Sequence, residues 1–361
     1  MNFKIIYCIF NLCFFIGCTT PRDNKINYIE EFKWEDSCTI DLCVLNDTSL
    51  WKYPRQIECL DSVLIILDDV DNHFLHLYNA NSGSFIMNFS KKGQGPGELL
   101  SCEKFHLSKD KKKLSVYDIL SRKIVVYDID SMLIGKSKCD EFYLDYSKLS
   151  DNEIPTIIYD MIPYVDSLYL IKSNHCNMRY GIYSHKNENI LNLYTTYLEG
   201  SFNYNSVEEL WSVFSSNTFT LIRPDNLRFM NATRIGGILE IFDINNETCQ
   251  ISSLHNIFIY EPIYNVAQGS KPIFVVSNEK TLFGFEDVYV TNDYIYTLLY
   301  DSAIKKKPQA ISILNWDGKP VHKINFNTPV TKICVDENNH RIYLLCLNEE
   351  NGFDLSYCEM Q

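Results

Sequence analysis

Residues 91–99, KKGQGPGEL, gather three of the chain's 14 glycines, Gly93, Gly95 and Gly97, around Pro96 and ahead of Glu98. A glycine-rich loop can bring backbone N–H groups up to a phosphate, but that chemistry has further requirements. A P-loop ends in Gly-Lys-Ser/Thr at a helix N-terminus, which holds the anion. Here Glu98 follows the glycines, and its charge repels phosphate. A dinucleotide fingerprint needs G-x-G-x-x-G between a strand and a helix. This spacing is G-x-G-x-G, with strand signals on both sides. The conformational reading fits better: glycine accepts positive φ, and proline fixes its own. Gly93, Gly95, Pro96, Gly97 and Glu98 read as a structural turn motif, a sharp crossing between strands close to the axis of a ring.

Other chemistry-bearing residues point less far. Residues 68–72, DDVDN, look calcium-like but lack the glycine an EF-hand loop requires. Asp and Asn also favour the hairpin turn expected there. His73 and His76 stand three apart, so on a strand they face opposite sides and cannot share a metal. The cations in KDKKK, 109–113, read as a solvated loop between strands. No G-x-S-x-G elbow and no C-x-x-C spacing occurs. The sequence thus assigns no catalytic, cofactor-binding or metal residue. A metal site assembled from separate repeats would escape any spacing test; Glu98, Asp166 and Glu286 are the acids named as candidates for such an axial site.

The elements that would position these residues are short strands in series. Residues 64–89 read strand, turn, strand, Asn-Ser-Gly turn, strand, and 114–138 read the same way. Leu64 and Leu114 are 50 apart, as are Asp68 and Asp118, each Asp ending an apolar strand. A strand-only period near 50 is the mark of a propeller with four antiparallel strands per blade. Six blades are placed at 51–98, 99–150, 155–200, 217–280, 283–328 and 329–361. The last holds only two or three strands, and residues 28–45 are expected to complete it, pairing the N-terminal and C-terminal strands and removing the exposed edges. Residues 201–216 break the pattern: Val207, Leu210, Trp211 and Phe214 fall at helical spacing. They read as a helix capping the junction of blades 3 and 4.

The chain carries 33 Lys and Arg against 46 Asp and Glu, a net charge of −13. Without a basic stripe, that balance excludes nucleic acid as a partner. Residues 1–17 read as a signal peptide: Lys4, then an apolar run from Ile5 to Ile16, too short for the roughly 20 residues a spanning helix needs. The run ends in FIGC, which resembles the lipobox of bacterial lipoproteins, with Phe15 where Leu is usual. Cys18 is therefore the expected lipidation site, residues 18–27 a tether, and 28–361 the propeller domain. Ten cysteines are scattered through the mature chain, several inside apolar strands. They read as mostly reduced thiols packed as small hydrophobes.

KKGQGPGEL before strand repeats, a lipobox at the N-terminus and ILNWDGKP at 313–320 resemble the TolB-like six-bladed propeller lipoproteins of Bacteroides-type bacteria. Gly93, Gly95, Pro96, Gly97 and Glu98 match that family's turn motif; Trp316, Asp317, Gly318 and Lys319 match its hairpin. The resemblance covers most of the mature chain and is weakest in blade 4. It implies an all-β, six-bladed fold and little about activity. The expected function is a lipid-anchored, non-catalytic binding or scaffold module of the cell envelope, outer membrane, periplasmic or surface face. Its partner would be an envelope protein, a peptide or a glycan, and no cofactor is implied. The alternative is a metal-dependent propeller hydrolase or lyase acting at the axial channel.

Overall fold

The structure, a computed structural model, describes Trp34 and residues 36–46, 51–145, 157–175, 178–198, 204–267, 269, 273–300, 306–350 and 352–360. The signal segment, Cys18, the 18–27 tether and Cys176 lie outside the described residues.

Six sheets form the ring, five of four strands and one of five. The chain begins with β1 (Asp36–Thr39) and β2 (Cys43–Asn46). Blade 1 holds β3 (Gln56–Leu60), β4 (Val63–Val70), β5 (His73–Asn79) and β6 (Phe85–Lys91). Blade 2 holds β7 (Phe105–Leu107), β8 (Lys113–Asp118), β9 (Lys123–Asp128), the short α1 (Ile129–Leu133) and β10 (Cys139–Tyr143). Blade 3 holds β11 (Ile158–Pro163), β12 (Leu168–His175), β13 (Met178–Ser184) and β14 (Asn189–Tyr194). After α2 (Val207–Ser215), blade 4 holds β15 (Thr218–Ile222), β16 (Arg228–Thr233), β17 (Ile238–Ile244) and β18 (Ile251–Phe258). A small pair, β19 (Asn265–Val266) and β20 (Val275–Val276), precedes blade 5: β21 (Phe285–Val290), β22 (Tyr294–Leu299), β23 (Ala310–Asn315) and β24 (Pro320–Asn325). Blade 6 holds β25 (Val330–Asp336), β26 (Arg341–Leu347) and β27 (Phe353–Glu359).

The first strand of each blade lies innermost, and the ring closes as expected: β2 pairs antiparallel with β27, Cys43 opposite Tyr357, as the fourth strand of blade 6. One feature was not foreseen. β1 runs parallel to β24, Asp36 opposite His322, and adds a fifth strand to blade 5. The N-terminal segment thus straps two blades.

Among the described residues the hydrophobic core is six slabs, one between each pair of neighbouring blades, with a seventh cluster around Leu210, Trp211 and Phe214. Strand alternation explains why the strands read as continuous apolar runs. In β4, Ile65 and Leu67 pack against Val116 and Val125 of blade 2. Leu64 and Ile66 face the other way, onto Tyr343 and Leu345 of blade 6. A strand buried on both faces carries no polar alternation.

The 50-residue offset of Asp68 and Asp118 has a structural cause. Both carboxylates are buried. Asp68 accepts the backbone N–H of Lys52 at 2.6 Å and of Tyr53 at 3.0 Å. Asp118 accepts those of Leu100 and Ser101 and the hydroxyls of Ser101 and Ser121, at 2.6–3.1 Å. Each Asp pins the connection that enters its own blade. DDVDN is therefore hairpin chemistry: Asp71 and Asn72 adopt positive φ, and Asp69 pairs with Lys92. His73 and His76 are separated as expected, His73 on the Asp71 carbonyl and buried His76 between the Asp68 carbonyl and Asn88.

The glycine turn joins β6 to β7, from outer to inner strand, but its position corrects the expectation. It lies against the outer strands of blade 2, away from the axis. Gly97 N–H donates to Glu141 on β10, Tyr127 on β9 donates to the Gly97 carbonyl at 2.7 Å, and Lys123 donates to the Glu98 carbonyl at 2.8 Å. The reason is the loop's own closure: Leu99 N–H bonds Lys91 O and Gly93 N–H bonds Leu99 O, so residues 92–98 bulge outward. Glu98 folds back to accept Gly95 N–H at 2.9 Å, and a Cβ on Gly93 would overlap its carboxylate. Gly97 sits at φ +71°, with Cys139 Sγ 3.0 Å from where a Cβ would stand.

Two outcomes follow. Gly97→Ala combines a left-handed backbone with a tight Cys139 contact and is expected to cost about 1–2 kcal/mol in urea unfolding. Asp118→Ala leaves buried donors unpaired and should cost about 3 kcal/mol at pH 7. Burial raises the Asp118 carboxyl, but the Ser101 and Ser121 hydroxyls and the Leu100 and Ser121 N–H groups outweigh it, leaving it below the ordinary range. Its stabilisation is present above the unfolded value near 4 and lost as pH falls toward the folded one. Unfolding from pH 7 down to pH 3 should show the gap between wild type and Asp118→Ala narrowing below about pH 4.

Candidate functional site

The six inner strands leave an axial channel of about 1330 Å³, lined by residues of β3, β7, β11, β15, β21 and β25. Six polar contacts between blades ring it. Gln56 brackets Phe105, accepting its N–H at 3.1 Å and donating to its carbonyl at 2.9 Å. His106 Nε2 lies 2.8 Å from Asp160 Oδ1. Lys172 Nζ donates to Thr218 Oγ1 at 3.1 Å. Arg234 lies 3.7 Å from Glu286. Asp287 accepts Ile333 N–H at 2.9 Å, and Cys59 Sγ donates to Asp336 at 3.5 Å.

Charge in the channel runs opposite to charge in the chain. Nine Lys and Arg line it against seven Asp and Glu, in a protein where acids outnumber bases 46 to 33. The cations concentrate around Phe219: Lys104, Arg234 and Lys332 stand 5.4, 5.7 and 5.9 Å from its ring centre. Asp160 and Asp287 are the facing carboxylates. Burial would raise Asp160, but His106, Lys104 and Lys172 outweigh it and hold the carboxyl below its ordinary range. Burial pushes Asp287 up to about 6 against the pull of Lys332. Burial, with Lys104 nearby, pushes Lys172 down to about 7. Glu58, partly exposed toward the channel interior, is raised by desolvation to about 7 against the Gln56 hydrogen bond.

By topology the connections between blades all lie on one face, where the inner strands begin. Lys104 and Asn217 stand at that end. The β7–β8 turn stands at the other, so Lys109, Lys111 and Lys113 of KDKKK line a mouth of the channel as well as solvent. α2 caps the junction of blades 3 and 4. Ser206 accepts Glu209 N–H as its N-cap, and Phe214 lies 5.1 Å over the guanidinium of buried Arg179. Arg179 of β13 pairs with Glu240 of β17 through two hydrogen bonds, clamping blade 3 to blade 4.

The three acids named from sequence do not converge. Glu98 lies in the glycine turn at the outside of blade 2. Asp166 lies exposed in the β11–β12 turn at the channel mouth. Glu286, on β21, turns between blades, where Lys307 and Tyr300 bind it at 2.7 and 2.5 Å. No group of three or more His, Cys, Asp or Glu stands in metal-binding arrangement among the described residues. The nine described cysteines are free thiols, six of them buried. Cys38 Sγ lies 3.3 Å from His322 Nε2, whose Nδ1 lies 3.4 Å from Asp36. That trio sits on the outer edge of blade 5, away from the channel, and burial followed by Asp36 pushes the thiol up, not down.

The family profile described as "TolB-like 6-blade propeller-like" matches residues 32–338. The chain belongs to this TolB-like family. Solved structures similar to it share the fold. One is a protein of Bacteroides fragilis NCTC 9343 inferred to be exported: 15% identity, TM-score 0.56, covering 90% of this chain and 100% of that one. Another is an auxiliary nutrient binding protein of Bacteroides thetaiotaomicron VPI-5482: 8% identity, TM-score 0.53, covering 87% and 71%. A third is the propeller domain of Cps50 (Swd1) from Myceliophteria thermophila: 8% identity, TM-score 0.52, covering 88% and 99%. No curated protein matches the sequence.

What sequence reasoning missed in this TolB-like propeller is the cation cluster, because its members come from blades 2, 3, 4 and 6. A signal was present: Lys172 in LYLIKS, Asp160 in IIYDMI and Lys332 in VTKICV are lone charges inside strands that otherwise read as buried.

Glu58 gives the channel a pH signature. Its folded value, about 7, lies above the unfolded one, so its contribution is fully present below about pH 4.5 and is lost as pH rises through 7. Melting curves from pH 5 to pH 8 should show Glu58→Gln gaining on wild type with rising pH.

Proposed function

We propose that this TolB-like propeller is an exported, lipid-anchored, non-catalytic binding module of the cell envelope, and that its ligand enters the axial channel. The observation that carries the binding reading is the channel itself. It is wide, lined from all six blades, and mixes aromatic and charged side chains, the composition that small-ligand sites use for contact area and orientation. Two structural relatives support the setting, one inferred to be exported and one described as an auxiliary nutrient binding protein. The fold alone does not carry function; the site does. The envelope reading rests on the signal and FIGC at the N-terminus, with Cys18 as the lipidated residue. A peptide or glycan fits a channel of this volume better than a folded protein, which would have to bind the outer faces.

Two measurements test the proposal. Cys18→Ala should move the protein from the membrane pellet to the soluble fraction of disrupted cells; retention in the pellet would defeat the anchor. Glycan and peptide arrays should be probed with the mature chain and with Asn217→Trp, which places an indole at the end of the channel near α2. The wild type should retain at least one probe that the variant loses by tenfold or more, about 1.4 kcal/mol. An array with no channel-dependent binding would overturn the binding reading.

A further inference from the structure

The inner end of the channel carries an unbalanced set of buried charges. Lys104 lines it, yet its ammonium is shut from solvent and has no hydrogen-bond partner among the described residues. Asp160 Oδ2 is likewise buried and unpartnered, its other oxygen being held by His106. Around them stand Lys172, with a side chain 3% exposed, Lys332 at 6%, and Arg234. Lys332 lies 3.9 Å from Asp287 and donates to the Glu286 carbonyl at 3.4 Å. Arg234 shares Glu286 with Lys307, which lies closer, at 2.7 Å. Five cations thus stand against three carboxylates, Asp160, Asp287 and Glu286, with Lys172 and Lys332 buried and Arg234 and Lys307 partly exposed.

An ammonium in such a place costs several kcal/mol, on the order of the penalty for any buried unpaired ion, unless an acceptor reaches it. The described residues supply none to Lys104. The facing carboxylates do not reach it: Asp160 Oδ1 is held by His106, its Oδ2 makes no hydrogen bond to the ammonium, and Asp287 accepts Ile333 N–H and faces Lys332. Burial holds Lys104 below its ordinary range against the pull of Asp160 and Asp287, with Lys332 and Arg234 adding to the effect of burial. The missing partner is an oxygen acceptor carrying negative charge. Phe219, within 6 Å of three of the cations, offers an apolar surface beside them.

We propose that the Lys104–Lys172–Arg234–Lys332 cluster binds the oxyanion, a carboxylate or a phosphate, of a small polar ligand held in the axial channel. This rests on the binding reading above and narrows it. The group enters between Lys104, Lys332 and Arg234 over Phe219, and a neighbouring hydroxyl of the ligand donates to Asp160 Oδ2. Lysines bind as point charges and tolerate either anion, so the two sources are separated by experiment.

The mature chain is titrated calorimetrically at pH 7 with galacturonate, with inorganic phosphate and with neutral galactose. Galacturonate or phosphate should bind at least tenfold more tightly than galactose. If galacturonate alone binds, the ligand is a carboxylate; if phosphate alone, a phosphate; either result supports the cluster. Lys104→Met and Lys332→Met should each weaken that binding by tenfold or more. Galactose binding as well as galacturonate, or neither anion binding at millimolar concentration, would overturn the inference. The array result stands apart from both outcomes, so failure here does not count against the binding module. Folding is checked on the same samples. Removing an unpaired charge at constant volume should leave the ligand-free Tm of Lys104→Met unchanged or higher. A clear drop would mean that Lys104 has a structural partner, and the inference would fail.

Discussion

Six polar contacts, one across each gap between neighbouring blades, determine how close the blades can stand at the axis. A propeller has little apolar surface there, because the inner strands converge and their side chains face a channel. The apolar slabs between blades hold the middle and outer parts together. The inner edge depends on Gln56, His106–Asp160, Lys172, Arg234–Glu286, Asp287 and Cys59–Asp336. Each contact differs in chemistry from the next. The ring is therefore asymmetric where it matters for recognition, although its blades repeat.

That asymmetry places the charge. The hydrogen bonds between the Gln56 amide and the Phe105 backbone satisfy both partners and leave no net charge behind. On blades 2, 3, 4 and 6 the channel holds cations with too few carboxylates to answer them. The surface of an acidic protein repels anions at long range, so an anion reaching the channel is drawn by the local field over a few ångströms and not by the whole molecule. Affinity for such a ligand would depend weakly on salt at the buried end, since screening acts chiefly on exposed charges.

Much of this architecture was legible in the sequence. The 50-residue offset of Asp68 and Asp118 marked the repeat because each carboxylate does the same job, accepting the N–H groups of the chain entering its blade. The missing strand of the last blade was legible because a ring cannot tolerate an edge. The parallel addition of β1 to β24 was not: a four-residue edge strand leaves no period and little apolar signal. The glycine turn was read as tight, and its location was misjudged, because glycine spacing reports backbone shape and not which strand the loop leans on. Tyr127, Glu141 and Lys123 decide that, and none is near it in sequence. The cation cluster was hidden for the same reason, each member being ordinary in its own segment.

The pairing of β2 with β27 joins residues about 310 positions apart. Contacts so distant along the chain are slow to form, since most of the polypeptide must be in place before they can. A chain made or threaded from its N-terminus carries β1 and β2 as unpaired strands until β24 and β27 emerge. Through that interval blade 6 has no outer strand and the N-terminal strap has nothing to grip. Closure is thus timed by β27, and a ring that lacks even one of these strands is left with an exposed sheet edge.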